Sequence, residues 1–390
     1  MNVDLSRPDI VFALTWGATL ALFQIDSGSE YFGGRLRADL GFFVVSHILS
    51  FFVLYRIQER RQPRVPSTPP TFPSEDLDIL ARFNLSCFRW WLAGYAVSIV
   101  ASGGLPIIWV LTGDERTYRD FGVPTLSGLL NMVRAFLFAG GIFLYLQRNR
   151  ARDLLLPLAG LLTSLFETSR GNLTVMLLHG VGMYVFLRRI SLRTLLTLSI
   201  LTTAFVLVFG FIADFREGGR ETRLSDFIAD DAHFFYRIPN GAFWGYVYAV
   251  SPLTNLNYAI GQGIEPSYIP NYSVQPLLPT VIRSLIFPDA LYPVELINPA
   301  FNATTFYSPL IADFGLGISW VIIVLIQLVV CQCHVQARRG SLRHTLIYPV
   351  LYMCILNSGF YMFFFSMVTV LYPSLVGIFM RNRQRELSAD

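Results

Sequence analysis

Runs of mostly apolar residues follow one another along this chain, each near the twenty or so residues that a helix needs to cross a hydrocarbon layer. They fall at 9–25, 38–55, 87–111, 125–147, 153–169, 171–187, 194–213, 314–334, 345–360 and 361–380. A chain patterned this way is expected to be all-α, a polytopic membrane protein with about ten transmembrane helices. Composition agrees, because 53% hydrophobic residues, 14% charged residues and a mean hydropathy of +0.50 are far too apolar for a soluble protein.

The sidedness of the runs follows from arginine, which supplies all 30 basic residues because the chain has no lysine. Arg56, Arg60, Arg61, Arg64 and Arg82 follow the second run. Arg148, Arg150 and Arg152 follow the fourth, and Arg188, Arg189 and Arg193 the sixth. Arg338, Arg339 and Arg343 follow the eighth, and Arg381, Arg383 and Arg385 close the chain. With ten spans all of these share one side, which places both termini in the cytoplasm. Arg35 and Arg37 go against the trend. The absence of lysine also removes Schiff-base chemistry and the P-loop lysine, so an ATP-driven pump is not expected. No cleavable signal peptide is expected from the first eight residues.

This topology divides the chain into 1–213 with seven spans, a large outer loop at 214–309, and 310–390 with three spans and a cytoplasmic tail. Seventeen Phe, Tyr and Trp lie within the loop, enough to anchor it at headgroup level and to stack on sugar rings. A helix is expected over 224–237, and a short one over 241–250 lying along the interface. Seven prolines between 262 and 299 argue for irregular structure, interrupted by a brief amphipathic piece at 280–287. Cys87, Cys331, Cys333 and Cys354 sit in or beside apolar segments, so they read as packing residues, with neither a disulfide framework nor a metal site implied. There is no nucleic-acid signal beyond the arginines that topology explains.

Several polar residues stand where chemistry is plausible. Arg216, Arg220 and Arg223 open the outer loop around Gly218 and Gly219, a pattern that suits a diphosphate; the plain alternative is a solvated cluster with Glu217, Glu221 and Asp226. Arg170 follows Glu167, Thr168 and Ser169 at the turn between two short runs, where an ionisable residue so close to hydrocarbon is a functional candidate unless it simply pairs with Glu167. Arg134 lies inside the fourth run, placed either to line a cavity or to snorkel outward. His233, beside Asp230 and Asp231, has a side chain suited to taking a proton from a sugar hydroxyl. His47 and His179, on apolar helices, read as core residues. Asn302, Thr304, Tyr307 and Asp313 lead into the eighth run and would offer a polar wall for a carbohydrate, or simply cap the helix.

The turn Ser169-Arg170-Gly171, the single large loop late in the chain, the arginines that open it, and the passage Asn302-Ala303-Thr304-Thr305-Phe306 to Asp313-Phe314-Gly315-Leu316-Gly317 together resemble bacterial O-antigen polymerases of the Wzy type. The resemblance implies a GT-C-like glycosyltransferase of the bacterial inner membrane, with the large loop periplasmic. It implies no nucleotide sugar, no metal and no other cofactor. The substrate would be an undecaprenyl-diphosphate-linked oligosaccharide, transferred from one lipid diphosphate onto another lipid-linked repeat unit; membrane lipids and a chain-length regulator protein are the implied partners. Arg170, Arg216, Arg220 and Arg223 would hold the diphosphate, with His233 the first choice of base and Asp313 the second. An O-antigen ligase and a lipid-linked oligosaccharide flippase are the rival readings.

Overall fold

The computed structural model describes residues 4–25, 32, 35–61, 69–188, 197, 200, 234–238, 240–287, 293–298 and 301–388. Arg216, Arg220, Arg223 and His233, with nearly all of the run 194–213, lie outside the described residues. Within them the chain is helical and has no strand.

The helices in order are α1 (Pro8–Phe23), α2 (Ala38–Arg61), α3 (Ser74–Ser102), α4 (Pro106–Thr112), α5 (Leu126–Arg148), α6 (Leu155–Phe166) and α7 (Arg170–Leu187). After these come α8 (Asn240–Gly261), α9 (Thr280–Ile286), α10 (Tyr307–Arg338), α11 (Leu342–Leu356) and α12 (Met367–Leu387). Among the described residues, four stretches are long and apolar enough to cross a membrane: Ala38–Arg61, Ser74–Thr112, Leu126–Arg148 and Tyr307–Arg338. These make the protein a membrane protein. Several of the remaining expected spans are short, and α6 is the shortest of them at 12 residues. At 1.5 Å per residue it reaches about 18 Å, well under the roughly 30 Å of a hydrocarbon core.

At the centre, α5 packs against α3, α6, α7 and α12, while α10 packs on α2 and α11. Between these groups α11 touches α7, α12 and α1. Close approach depends on small residues, because a Cβ at Gly180 of α7 would come within 2.6 Å of Phe138 on α5, and one at Gly182 within 2.9 Å of Tyr352 on α11. Buried polar groups are satisfied between helices. On α10, Gln327 donates to the His47 carbonyl at 2.9 Å and accepts from the Ser50 hydroxyl at 2.7 Å, both on α2. His47 is fully buried, with Nδ1 2.8 Å from the Phe43 carbonyl.

Among the described residues, Arg82, Arg148, Arg188, Arg338 and Arg383 lie where helix ends meet. Asp76 at the start of α3 pairs with Arg383 of α12, Asp78 pairs with Arg148 of α5, and Arg82 pairs with Glu386. Nearby, Arg188 donates to the Leu146 carbonyl at 2.9 Å, and Arg338 meets Asp4 at 3.2 Å. The start of α3 thus meets the ends of α5 and α12.

Two expectations fail further along the chain. Residues 241–250 do not form a short interfacial helix but belong to α8, a helix of 22 residues that buries Phe243, Val247, Val250, Leu253 and Leu256 against its neighbours, α1 among them. The second concerns α10, which begins at Tyr307, well before the expected 314, and is interrupted at Gly315, where φ is 69° and ψ 176°. Such a break orphans the carbonyls before it. Ser267 and Tyr268 supply the missing donors, their N–H groups reaching the Ala312 and Asp313 carbonyls at 3.1 and 2.7 Å.

Only glycine adopts the Gly315 conformation without strain, and an added Cβ would also lie 3.4 Å from Pro266. Gly315→Ala is therefore expected to destabilise the protein by about 1–3 kcal/mol. Reversible unfolding in mixed micelles measures it; an unchanged midpoint would show that the backbone at 315 is not held at φ 69°.

Candidate functional site

The bundle holds a cavity of about 250 Å³ at the end opposite the arginine cluster. Its walls come from the second half of α3 (Trp91, Tyr95, Ser98), the first half of α5 (Ser127, Asn131, Arg134), and the α6–α7 turn with the start of α7 (Glu167, Ser169, Asn172). Tyr118, Arg119 and Phe121 from the α4–α5 connection complete it.

Arg134 is the group around which the cavity is built. It lies eight residues into α5, about 12 Å below the start of that helix at 1.5 Å per residue. A guanidinium cannot shed its proton at that depth, so it needs a partner. Nη1 donates to Glu167 Oε1 at 2.8 Å, and Nη2 donates to Asn131 Oδ1, one turn back on the same helix. The other carboxylate oxygen, Glu167 Oε2, accepts from Asn172 Nδ2 at 3.0 Å. Side-chain exposures of 3% and 9% make Arg134–Glu167 a buried ion pair, tying α5 to the α6–α7 turn. Ser169 caps α7 by accepting from the Asn172 N–H at 3.4 Å. Arg134 also borders a smaller apolar slot of about 120 Å³, lined by Val175, Met176, Met353, Phe363 and Val368.

The remaining sequence candidates are dispersed. Arg170 is the first residue of α7, directly after the capping Ser169. Glu167 meets Arg134 and Asn172. Asn302 is exposed, whereas Thr304 and Tyr307 are 4% and 0% exposed and do not form a wall open to a carbohydrate. Tyr307 packs among Trp16, Phe43 and His47 with ring centroids 4.6, 5.2 and 5.4 Å away, so it belongs to the core joining α1, α2 and α10.

Asp313 is also placed differently from its expected role as a base. It is fully buried, and Oδ1 accepts from the N–H groups of Asn271 and Tyr272 at 3.1 and 3.0 Å. Oδ2 accepts from the N–H and hydroxyl of Ser273 at 2.8 and 2.6 Å. Four donors around one carboxylate leave no lone pair aimed at a substrate, so the side chain serves as the anchor of loop 271–273.

Comparison of the chain with models of protein families, with curated proteins and with solved structures finds no match. The site is therefore read from its own chemistry. Sequence reasoning missed Trp91, Tyr95 and Asn172, and the signal that could have found them is the depth of Arg134. A buried cation demands acceptors, and the residues around those acceptors form the pocket.

Proposed function

We propose that this protein is a membrane glycosyltransferase that polymerises undecaprenyl-diphosphate-linked oligosaccharide repeat units at the periplasmic face of the bacterial inner membrane. The observation that carries this reading is the polar, aromatic-lined cavity opposite the arginine-rich end of the bundle, where an amphiphile held in the outer leaflet presents its headgroup. Under the same reading, Arg170, Arg216, Arg220 and Arg223 hold the diphosphate and stabilise the negative charge that develops as it leaves. His233 takes the proton of the acceptor hydroxyl as that oxygen attacks the anomeric carbon. Direct displacement inverts that centre. With its carboxylate committed to loop 271–273, Asp313 drops out as a base.

Purified protein in proteoliposomes, supplied with lipid-diphosphate-linked repeat units, is expected to yield a ladder of elongated glycans. Alanine at each of the four diphosphate arginines should lower transfer roughly ten- to a hundredfold, as expected for loss of a hydrogen bond to a charged group. Lysine should rescue poorly, lacking the planar fork. His233→Ala should retain donor binding and lose transfer. A wild-type ladder from all four alanine variants would leave these arginines as headgroup anchors and sink the assignment.

A flippase is the second reading, and the break in α10 at Gly315 favours it, because discontinuous helices line the substrate sites of many transporters. Here, however, the backbone groups that such a break would offer to cargo are partly taken, at Ala312 and Asp313, by Ser267 and Tyr268. Movement of labelled lipid-linked sugar between leaflets without any ladder would establish this reading over the first.

A further inference from the structure

The polar cavity and the apolar slot meet along a seam, and Asn131, Arg134 and Asn172 line both. The Arg134–Glu167 pair fixes how the two amides are turned. A guanidinium only donates, so Arg134 Nη2 takes the carbonyl end of Asn131; an ion-paired carboxylate only accepts, so Glu167 Oε2 takes the NH2 end of Asn172. Each asparagine is left with its opposite atom. Asn131 Nδ2 is a donor and Asn172 Oδ1 an acceptor, and neither has a partner among the described residues. Both residues are half-buried, and neither atom is sealed within the protein as Trp91 Nε1 and Tyr95 Oη are.

One open donor on α5 and one open acceptor on α7, two helices packed together, call for a group that answers both. A secondary amide does so, because in its trans form the C=O and N–H point in opposite directions. Beyond the seam, the slot between Val175, Met176, Met353 and Phe363 offers about 120 Å³ to a short apolar substituent. An acetamido group combines acceptor, donor and methyl. A hydroxyl would satisfy both asparagines and leave the slot empty. An anion has no proton for Asn172 Oδ1 and would face the Glu167 carboxylate. Arg119, on the same cavity wall, is exposed and lies over the Tyr118 ring at 5.9 Å. With Arg134 and Glu167 it leaves the cavity one net positive charge, so an anion is drawn to Arg119 and an uncharged amide is left to the seam.

We propose that Asn131 and Asn172 recognise the acetamido group of an N-acetylated sugar. Asn131 Nδ2 donates to its carbonyl, its N–H donates to Asn172 Oδ1, and its methyl enters the slot. That a sugar carries the amide rests on the glycosyltransferase reading above; the two asparagines and the slot do not. In that reaction the seam selects, among the sugars of a lipid-linked unit, one that bears an N-acetyl group.

The test uses full-length protein in nanodiscs, with saturation-transfer NMR and N-acetyl-D-glucosamine, D-glucose and N-acetylglycinamide as probes. The acetylated sugar should bind saturably and roughly tenfold more tightly than glucose, with its methyl protons the most strongly saturated. Asn131→Asp keeps an acceptor for Arg134 and turns the open donor into an oxygen; Val175→Phe fills the slot and leaves both amides in place. Each variant should keep the wild-type thermal midpoint to within a few degrees and lose most of the preference for the acetylated sugar. No saturable binding by the wild type, binding no tighter than that of glucose, or an unchanged preference in either variant overturns the proposal. Tighter binding of N-acetylglycinamide than of the sugar would make the site one for peptides and overturn it as well. A glycan ladder together with any of those results would overturn the seam and spare the polymerase reading. An acetamido preference lost in both variants of a protein that builds no ladder from lipid-linked units would do the reverse.

Discussion

Glu167→Ala should be the most damaging single substitution in the described bundle, costing about 3–5 kcal/mol, the range for removing one partner of a buried ion pair. The change leaves Arg134 at 3% side-chain exposure with Asn131 as its remaining partner. Arginine cannot escape by losing its proton, so the cation must draw in water or swing out of its packing. Asn172 loses its acceptor at the same time, and with it the tie between the turn and the first turn of α7. Glu167→Gln keeps the shape but not the charge and should fall between alanine and wild type. Replacing both partners, Arg134→Met with Glu167→Leu, should recover most of the lost stability, because the cost lies in the unpaired charge and not in the absence of the pair. Unfolding in mixed micelles, followed by circular dichroism, measures all four proteins. A Glu167→Ala protein within about 0.5 kcal/mol of wild type, the ordinary range of a surface change, would show that the pair is not buried in the bilayer.

The second large effect is expected at Asp313. Alanine there orphans the N–H groups of Tyr272 and Ser273 and the Ser273 hydroxyl, now donated to the carboxylate at 2.6–3.0 Å, and leaves the Asn271 N–H with only the Ile269 carbonyl at 2.8 Å. At roughly 1–3 kcal/mol for each unsatisfied donor, with water recovering part, a net loss of about 3–5 kcal/mol follows. Asparagine is no remedy. Its amide nitrogen would have to face either the Ser273 donors or those of Asn271 and Tyr272, so Asp313→Asn should approach the alanine cost. Both variants should become susceptible to limited proteolysis between Gly263 and Pro279, where loop 271–273 is released. A catalytic base would behave otherwise, with a stable, protease-resistant Asp313→Asn protein that has lost only turnover. That outcome would return the carboxylate to the chemistry.

Arg134 and Glu167 show how far local pattern reaches. A lone arginine in an apolar run announces that something must neutralise it, and Arg134 was legible as a site residue for that reason. Which group answers is a long-range fact. Glu167 lies 33 residues away, and its nearer neighbour Arg170 is an equally good partner on paper. Only the packing of α6 and α7 against α5 brings Glu167 to Arg134. In the same way, Trp91 and Tyr95 look like any interfacial aromatics until the fold sets them in a cavity wall. Tyr307 and Thr304 read as a polar wall because they carry hydroxyls, yet the tertiary structure spends them in the core.

What the chain determined by itself is its class: membrane helices, four of them plainly long enough to span, and arginines gathered at one end. These are legible because hydrophobic transfer and arginine placement are summed over short windows, with no need to know what touches what. The tertiary structure decided where a weak local preference or an unpaired group was resolved by a neighbour. Sequence supports only a short helix over 241–250, but Asn255 pins the Phe301 and Ala303 carbonyls at 2.7 and 2.9 Å, and burial of the apolar face carries the helix on to Gly261 across Pro252. The break at Gly315 persists because Ser267 and Tyr268 supply the donors that it requires. In each case the decisive partner is distant in sequence, and a backbone or charge left unsatisfied without it would cost more than local preference can repay.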